Sequence, residues 1–457
     1  MVDYGSTTKA EPSQISSEDW VLELEDIEKD SSKLLQRMTF AQRQSKSTKS
    51  RFQAGDVLYG KLRPYLNKVL IADQPGYCTT EIVPIETGAQ LDNRYLFYWL
   101  KHPAFLKYVE AESHGMNMPR LGTDTAKAAP LVLAPRNEQT RIADQLDKLL
   151  ARIQSCNDRL DAIPALLKRF RQAVLSAVTS GALTEDWRAG AEPSYKHVSL
   201  GALISDGPQN GLYKHSSSYG AGAGILRIDM FYDGEVTGWD VMKRLKVDAS
   251  ELDTYGLSVG DIVVNRVNSP PYVGKAALIR EVAEPTVFES NMMRIRLDEE
   301  QVLPEYCIRF LSSPEGLLQL RRNVKHAVNQ SSINQTDVKS VQVPLPCVAE
   351  QAEIVRRVEA LFKLADRIEA RHTAACTQAQ RLAPLLLAKA FRGELVPQDP
   401  NDEPASALLE RISAEREKAA AQPRPRKSSV GRKPVRAPNE NASMIKSRIG
   451  DDVQAQP

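Results

Sequence analysis

One stretch of this chain occurs twice, and the two copies have the same length. They run from Glu138 to Gly181 and from Glu350 to Gly393, and both open on a Glu-Gln pair. The offset is 212 residues at both ends, so no insertion or deletion separates the copies. A repeat of this kind predicts a chain built as two sibling halves.

Apolar residues inside both copies recur at alternating steps of four and three, the period of a helix that buries a narrow seam against another helix. The predicted seam residues are, in the first copy, Ile142, Leu146, Leu149, Ile153, Leu160 and Leu167 and, in the second, Ile354, Val358, Leu361, Ile368, Leu382 and Leu386. We therefore predict two long helices that pair with each other. The alternative is two unrelated amphipathic helices in separate cores. Pro164 and Pro384 are expected to kink or locally break their helices.

The composition is that of a soluble protein with several domains. The 457 residues allow about three domains, and 42% apolar residues are enough for a real core. The net charge of +2 favours no particular class of partner. Five cysteines without a CxxC pair or metal-ligand spacing indicate a reducing compartment. No apolar run approaches the ~18 residues of a membrane span and no signal peptide is visible, so we expect a cytoplasmic protein without a membrane partner.

The regions that flank the repeated helices also match each other. Residues 259–264 repeat 54–59, and Pro304–Leu311 repeats Asn93–Leu100. The sequence predicts an α+β fold with two tandem domains, each a mixed β-sheet with helices. The first domain has a shorter lead-in, so its sheet is expected to be smaller or differently completed. The predicted bounds are 1–137 for the first domain, 138–183 for the first helix, 184–347 for the second domain, 348–393 for the second helix and 394–457 for a largely disordered tail, in which 403–420 is compatible with one more exposed helix.

Polar groups suited to nucleic acid recur in the matching loops of the two halves. Arg can bond guanine through two hydrogen bonds and Asn or Gln can do the same with adenine, whereas Lys mainly neutralises phosphate. The candidate residues are Lys61, Arg63, Asn67, Lys68, His114, Asn117 and Arg120 in the first half and Asn265, Arg266, Asn268, Lys275, His326, Asn329 and Gln330 in the second. Each one alone is more often an ordinary surface residue, and recurrence favours the loops rather than any single side chain.

Two motifs in the second half suggest catalysis. Residues 269–272 (Ser-Pro-Pro-Tyr) resemble the catalytic motif of adenine-N6 methyltransferases, and 220–224 (Gly-Ala-Gly-Ala-Gly) resembles a loop that binds S-adenosylmethionine. A cofactor loop follows a buried strand, whereas 214–219 is polar. The Pro-Tyr pair also recurs at Pro64-Tyr65 without the rest of the motif. No HExxH motif, P-loop or zinc spacing occurs, so the sequence indicates no catalytic or metal residues.

The repeated helices and loops together resemble the specificity (S, HsdS) subunit of type I restriction-modification systems, over nearly all of residues 20–397. The specific elements are the Glu-Gln pairs, the closing sequences 179–183 and 391–395, and residues 55–58 with 63–68. The closing sequences differ, with Thr-Ser-Gly in the first copy and Phe-Arg-Gly in the second. Recognition domains of this family vary widely, so the resemblance implies no base preference.

The resemblance implies two target-recognition domains that each read one half of a split, asymmetric DNA site. It implies an antiparallel coiled coil that sets the gap between half-sites, two docked methyltransferase (M) subunits and, in the full enzyme, restriction-translocase (R) subunits. S-adenosylmethionine, ATP and Mg are then expected on those partners, with no cofactor on this chain. A helix from Ile142 to Ala177 spans roughly 54 Å at ~1.5 Å per residue. This length is suited to holding two recognition domains one or more turns apart on a DNA duplex, at ~34 Å per turn.

Two other functions remain open at the level of sequence. One is a self-sufficient adenine-N6 DNA methyltransferase that uses 220–224 and Tyr272. The other is a coiled-coil adaptor that does not read sequence. The leading hypothesis is a non-catalytic DNA-recognition subunit that scaffolds adenine-N6 methylation and ATP-dependent cleavage of unmodified DNA by its partners.

Overall fold

The computed structural model describes residues 4–421 apart from 6, 116, 190, 233, 328 and 329. The first half contains β1 (Lys9–Ala10), β2 (Val21–Leu22), α1 (Phe40–Arg43), β3 (Lys49–Phe52), β4 (Val57–Gly60), β5 (Val69–Ile71), β6 (Gly76–Cys78), β7 (Ile82–Ile85), α2 (Asn93–Leu100), α3 (Pro103–Glu112), α4 (Thr123–Ala128) and α5 (Arg136–Ser180).

The second half repeats this order with additional strands. It contains β8 (Lys196–Ser199), α6 (Leu200–Leu203), β9 (Ile204–Asn210), β10 (Tyr219–Leu226), β11 (Phe231–Tyr232), β12 (Gly234–Val236), β13 (Lys243–Leu245), α7 (Ala249–Tyr255), β14 (Ile262–Asn265), β15 (Val267–Asn268), β16 (Ala276–Leu278), β17 (Thr286–Phe288), β18 (Met292–Leu297), α8 (Pro304–Leu311), α9 (Pro314–Leu320), β19 (Lys325–Ala327), β20 (Gln330–Ser332), α10 (Gln335–Lys339), β21 (Gln342–Leu345), α11 (Val348–Phe391) and α12 (Ala405–Ala421).

The chain forms two compact units. The first comprises residues 1–100, 108–141 and 398 onward, and the second comprises 101–107 and 142–397. The first unit therefore contains the start of α5 and the segment that follows α11. The second contains almost all of both long helices together with the second globular region.

The central strands of the two units correspond to each other. In the first unit the order β5-β4-β7 makes a three-stranded antiparallel sheet. In the second unit β16-β14-β18 has the same order, and β11, β12 and β9 extend it to six strands. The central sheet of the first unit is therefore smaller, and four further strands of that unit form a separate sheet in the order β1-β3-β6-β2. The strands that extend the sheet of the second unit come from the longer lead-in of the second half.

The two long helices of the second unit run antiparallel to each other. The Nη2 of Arg171 on α5 lies 2.6 Å from Asp366 and 2.9 Å from Glu369 on α11. Farther toward the start of α5, the carbonyl oxygen of Leu160 lies 3.0 Å from the Nε2 of His372. Because the partner number rises as the α5 number falls, the helices have opposite directions. This confirms the paired helices, and both run without interruption through Pro164 and Pro384.

The apolar seam follows the predicted positions along most of its length. Ile142, Leu146, Leu167, Ile354 and Val358 are buried. The other predicted positions that have intermediate exposure are Leu149, Ile153, Leu160, Leu361 and Leu386.

Two predicted seam positions are wrong, because Ile368 and Leu382 are 40% and 46% exposed. Ala365 and Ala379 are buried in the same stretch. The strict four-three pattern has 3.5 residues per turn, and a straight helix drifts by about 20° per heptad relative to it. Over five heptads the drift is about one residue, which explains why Leu387 is buried near the end of α11.

The second residue of the first Glu-Gln pair attaches α5 to the first globular region. The side chain of Gln139 is fully buried. Its amide oxygen accepts a hydrogen bond from the backbone N–H of Asp92 at 2.8 Å, and its amide nitrogen donates to the carbonyls of Gln90 at 3.3 Å and Ala134 at 2.9 Å. One side chain thus joins the helix to two separate segments of the domain.

Gln351 makes the equivalent attachment of α11 in the second unit. Its amide oxygen accepts from the N–H of Leu303 at 2.9 Å, and its amide nitrogen donates to the carbonyls of Gln301 at 3.0 Å and Pro346 at 2.9 Å. Only a side-chain amide offers both an acceptor and two donors in this geometry. The repeated Gln is therefore required by the backbone groups around it.

The glutamate of each pair bonds the segment that follows the other helix. Glu138 on α5 accepts from Gln398, beyond α11, at 2.8 Å. Glu350 on α11 accepts from Thr184 at 2.7 Å and Tyr195 at 2.8 Å, both beyond α5, and forms an ion pair with Arg188. The same pattern of contacts, between the start of one long helix and the segment that follows the other, thus occurs at both helix starts.

A glycine ends each long helix. Gly181 and Gly393 have positive φ angles of 74° and 73°, the left-handed conformation that commonly follows a helix end and that favours glycine. At the end of α11 the backbone N–H of Glu394 bonds the carbonyl of Lys389 at 3.0 Å. The shared closing glycines therefore have a structural role in both copies.

The structure describes the tail up to residue 421, and it contains a helix in the segment 403–420, where the sequence was compatible with one. The segment after α11 continues into α12, in which Leu408 and Ile412 are buried, and Asp402 pairs with Arg141 within the first unit. Residues 422–457 lie outside the described residues. None of the helices that the structure describes has the length and apolar character needed to cross a membrane.

Replacing Gln351 with alanine is expected to lower the free energy of unfolding of the second unit. Three backbone groups lose their partner, and each buried polar group without a partner costs about 1–3 kcal/mol. The midpoint of urea unfolding measures the effect. Gln378→Ala, at an exposed position of the same helix, is the control and should leave the midpoint unchanged. Equal midpoints for the two variants would contradict the attachment role.

Glu350 gives this attachment a pH dependence. Burial alone would raise its pKa, but hydrogen bonds from Thr184, Tyr195 and Arg188 outweigh burial and hold the pKa below the usual 4.5. The ion pair therefore stabilises the fold above about pH 4.5, and this contribution is lost as the pH falls through the lowered pKa.

We expect Glu350→Gln to be less stable than the natural chain at pH 7, by roughly 2 kcal/mol. The difference in urea midpoint between the two proteins should shrink progressively below about pH 4.5. A difference that stays constant down to pH 3 would show that ionisation of Glu350 is not involved.

Candidate nucleic-acid interface

The two candidate loops of the first unit lie side by side. The loop between β4 and β5 contacts residues 114–121 through the bridge that pairs Leu62 with Arg120. The N–H of Leu121 bonds the carbonyl of Lys61 at 3.0 Å, and the N–H of Arg63 bonds the carbonyl of Pro119 at 2.7 Å. Residues that are far apart in sequence therefore form one surface.

The β4–β5 loop has an unusual backbone. Arg63 and Asn67 have positive φ angles of 49° and 47° and flank a single 3-10 turn, Pro64–Leu66. Gly274 holds a φ of 77° at the position that matches Asn67 in the second unit. Non-glycine residues in this region are strained and concentrate at functional sites. The left-handed residues at both ends therefore define the shape of this turn.

The seven candidates of the first unit have different environments. Arg63, His114 and Asn117 are exposed, and Lys61 is half-buried. The Nε of Arg120 donates to Glu81 at 3.1 Å, so its charge is partly neutralised. The candidates with structural roles are Lys68, whose Nζ donates to the carbonyl of Leu24 at 2.7 Å, and Asn67, which is buried.

The second unit brings the matching loops together in the same way. Val267 in β15 pairs with Ser332 in β20, and these residues correspond to Leu62 and Arg120 of the first unit. The N–H of Ile333 also bonds the carbonyl of Arg266 at 2.9 Å. The juxtaposition of the two loops is therefore a property of both units.

The candidates of the second unit also divide into surface and structural residues. The Nη1 of Arg266 donates to the carbonyl of Ser290 at 3.2 Å. Asn268 is half-buried and accepts from the N–H of Ser269 at 2.8 Å. The Nζ of Lys275 lies 3.6 Å from the centroid of the Tyr232 ring. The side chains of His326 and Gln330, and the whole of Asn329, lie outside the described residues.

Two candidates are wrong as direct base readers because Asn67 and Asn265 lie inside the protein. The amide nitrogen of Asn265 donates to the carbonyl of Tyr272 at 3.5 Å. Asn67 supplies the left-handed residue that the turn needs, a conformation that asparagine tolerates better than most residues. The sequence pattern identified their loops but not the direction of their side chains.

Sequence reasoning missed two aromatic residues in these loops. Tyr65 and Tyr272 are half-exposed at matching positions of the two units. The repeated Pro-Tyr pair was visible, but Tyr272 was considered only as part of a methyltransferase motif and not as a DNA-contacting residue. Matched exposure of two large aromatic residues could not be inferred from the sequence.

The glycine-rich segment of the second unit is a β-strand rather than a cofactor loop. It forms β10, which pairs with β13 and β17. A Cβ at Gly222 would lie 2.4 Å from the carbonyl oxygen of Leu245, so a glycine is needed for the approach of the strands. The interpretation as an S-adenosylmethionine loop is therefore not supported. Among the described residues, no three His, Cys, Asp or Glu side chains are grouped so that they could hold a metal ion.

A groove of about 890 Å³ in the second unit is lined by charges of both signs. Arg280 and Arg309 both donate to Glu235, at 2.8 Å and 2.9 Å, and the guanidinium of Arg309 lies 5.2 Å from the ring of Phe362. Because these cations already have an acidic partner, the groove is a weaker candidate for nucleic acid than the loops.

Comparisons with known proteins agree with the repeated architecture. The family model of the type I restriction modification DNA specificity domain matches twice, over residues 32–165 and 246–377. The EcoKI specificity subunit of Escherichia coli strain K12 is 36% identical over 348 residues, which cover 73% of this chain and 74% of that protein. The StySPI specificity subunit of Salmonella potsdam is 36% identical over 333 residues, which cover 70% and 71%.

Solved structures share the fold. A chain from a structure that describes complex assembly and conformational transition of the type I R-M system has a TM-score of 0.62 and 18% identity, and the match covers 86% of this chain and 98% of that chain. The HsdS subunit from Thermoanaerobacter tengcongensis has a TM-score of 0.56 and 17% identity, with coverage of 86% and 97%. From the two domain matches, the identity to known subunits and the repeated loops and helices, we conclude that this chain belongs to the family of type I restriction-modification specificity subunits.

Proposed function

We propose that each unit reads one half of a bipartite, asymmetric DNA site through its pair of adjacent loops. The observation that carries this proposal is the same juxtaposition of loops in both units, at Leu62 with Arg120 and at Val267 with Ser332. Exposed Arg63, together with Asn117, offers groups that can bond base edges. The chain itself is non-catalytic in this proposal.

Catalysis comes from partner subunits in this proposal. Two M subunits with S-adenosylmethionine methylate adenine at N6, and R subunits with ATP and Mg cleave unmodified DNA. The complex works in the cytoplasm, where foreign DNA arrives and where the five free cysteines of this chain stay reduced.

A row of exposed apolar residues on α11 supports docking of an M subunit. Leu364 and Leu382 lie five helical turns apart, and Ile368 and Leu385 each lie about one turn further along. All four are exposed. They form two pairs about 27 Å apart along the helix, and each pair offers apolar side chains that a partner could cover. The coil thus buries one side of α11 and leaves a second apolar row for a partner helix.

The near-neutral charge predicts weak DNA binding by the isolated chain. Affinity for DNA depends mainly on phosphates neutralised by Lys and Arg, and log K falls with log salt by about 0.9 per phosphate. The chain has a net charge of only +2, so partner subunits are expected to supply much of the positive surface. We expect filter-binding titrations to show tight, salt-sensitive binding only after M subunits are added. Full specific affinity without partners would refute this.

Arg63→Gln is expected to weaken specific binding of the assembled complex about ten-fold, because a good contact between Arg and a base contributes roughly 1–3 kcal/mol. The loss of affinity should depend only on the bases of the half-site that the first unit reads. Arg51→Gln, at an exposed position of β3 outside the loops, is the matched control. Equal affinities for both variants would argue against reading by the Arg63 side chain.

Ile368→Lys combined with Leu364→Lys is expected to reduce co-purification of M subunits at least ten-fold, because charges enter an apolar contact. Leu318→Lys tests a more exposed apolar residue on α9 and should leave assembly unchanged. Normal assembly of the double variant would exclude this row as the docking surface. A coiled-coil adaptor that does not read sequence would assemble with M subunits but would show no preference between DNA sites.

A further inference from the structure

The two units present a tyrosine at the same place in the same loop. Tyr65 is 55% exposed and Tyr272 is 48% exposed. Each follows a proline and precedes a lysine by three residues, Lys68 in the first unit and Lys275 in the second. The loops that carry them are the ones that contact the second candidate loop in each unit.

The first tyrosine lies on a turn with a defined shape. The turn Pro64–Leu66 is bounded by two left-handed residues. The N–H of Leu66 bonds the carbonyl of Arg63 at 2.9 Å, and the N–H of Asn67 bonds that of Pro64 at 3.0 Å. The backbone that carries Tyr65 is therefore held in one shape by its own hydrogen bonds.

The loop that carries Tyr272 is held by a different set of contacts. The Nε of Arg321, at the end of α9, donates to the carbonyl of Val273 at 2.8 Å, and its Nη2 donates to that of Pro271 at 3.0 Å. The N–H of Tyr272 bonds the carbonyl of Ser269 at 2.9 Å. Two unrelated sets of contacts therefore support the same presentation of an aromatic ring.

The neighbouring lysines have internal partners. Lys68 donates to the carbonyl of Leu24. The Nζ of Lys275 lies 3.6 Å from the ring centroid of Tyr232 and 5.6 Å from that of Tyr272, distances typical of a cation–π contact. The lysines thus support the loops, and the tyrosine rings are the groups that extend toward solvent.

A packing role does not explain these tyrosines. Tyr59, Tyr95 and Tyr306, which do belong to the cores, have almost no exposed surface. A single exposed aromatic residue is ordinary. Two at equivalent positions, each on a braced loop beside the candidate reading surface, point to a shared ligand.

We propose that Tyr65 and Tyr272 are a matched pair of base-contacting residues, each placing its ring against the base edges and deoxyribose of its own half-site. This inference rests on the proposed reading of DNA by the loops. An aromatic face contributes to DNA contact through apolar packing with groups such as the thymine methyl. The ring rather than the hydroxyl is therefore the contacting group.

The test uses the full chain assembled with its M subunits and the DNA motif that the natural complex methylates. Competition binding compares Tyr65→Ala, Tyr272→Ala and the two Phe variants, and duplexes with changes in either half-site show which half is affected. We expect each Ala variant to bind about ten-fold more weakly and to lose discrimination in one half-site only. The Phe variants should bind within about three-fold of the natural chain. Leu318→Ala is the matched control for loss of an exposed apolar side chain.

Each outcome has a separate meaning. Ala variants that bind normally while Arg63→Gln is weakened would overturn the tyrosine proposal and leave reading by the loops intact. Normal binding by all of these variants would defeat reading by the loops as well. Weak binding accompanied by a lower midpoint of urea unfolding, or shared by the Phe variants, would also overturn the proposal, because the ring would then act through folding or the hydroxyl would be the contacting group.

Discussion

The architecture depends on the buried glutamines that attach each long helix to a globular region. Gln139 and Gln351 each satisfy one backbone donor and two carbonyls, which would otherwise lie in the interior without partners. The direction in which each helix leaves its domain is thereby set by hydrogen bonds rather than by apolar contact alone. The adjacent Glu138 and Glu350 then bond the segment that follows the other helix. In each half, hydrogen bonds thus join the start of one long helix, a globular domain and the segment that follows the other long helix.

The apolar residues of the paired helices contribute to the core of the second unit and also leave exposed side chains that a partner can cover. Val174, Val178, Ile354 and Val358 belong to the same core as Tyr306 of α8, so the coil and the second globular region of this unit share one interior. Along α11 the strict heptad pattern and a straight helix separate gradually, by about 20° per heptad. Apolar residues such as Ile368 and Leu382 then face solvent, where a partner helix can cover them.

The sequence was sufficient for the fold class, the repeat and the pairing of the helices, because each rests on a pattern that extends over many residues. The repeated order of matching segments also predicted which loops correspond. Individual side chains were harder to place. Asn67 and Asn265 looked like base readers by residue type, but one is needed in a left-handed turn and the other bonds a loop carbonyl. Residue type does not give side-chain direction in a loop.

The remaining misses have similar physical causes. The polar residues before 220–224 argued against a cofactor loop, but they did not reveal that the glycines allow β10 to approach a neighbouring strand. The helix that the sequence allowed in the tail was expected to be exposed, whereas Leu408 and Ile412 of α12 are buried. Close backbone approach and short amphipathic contacts depend on tertiary partners, which sequence periodicity does not reveal.

The central claim is that the two units are independent readers of one split site. Methylome sequencing of cells that carry this chain with its partner subunits tests it most directly, when residues 196–345 are replaced by the corresponding region of a relative. The account predicts a bipartite adenine-methylation motif in which one half changes and the other half is retained. A motif that stays the same after the replacement, or that changes in both halves, would contradict it.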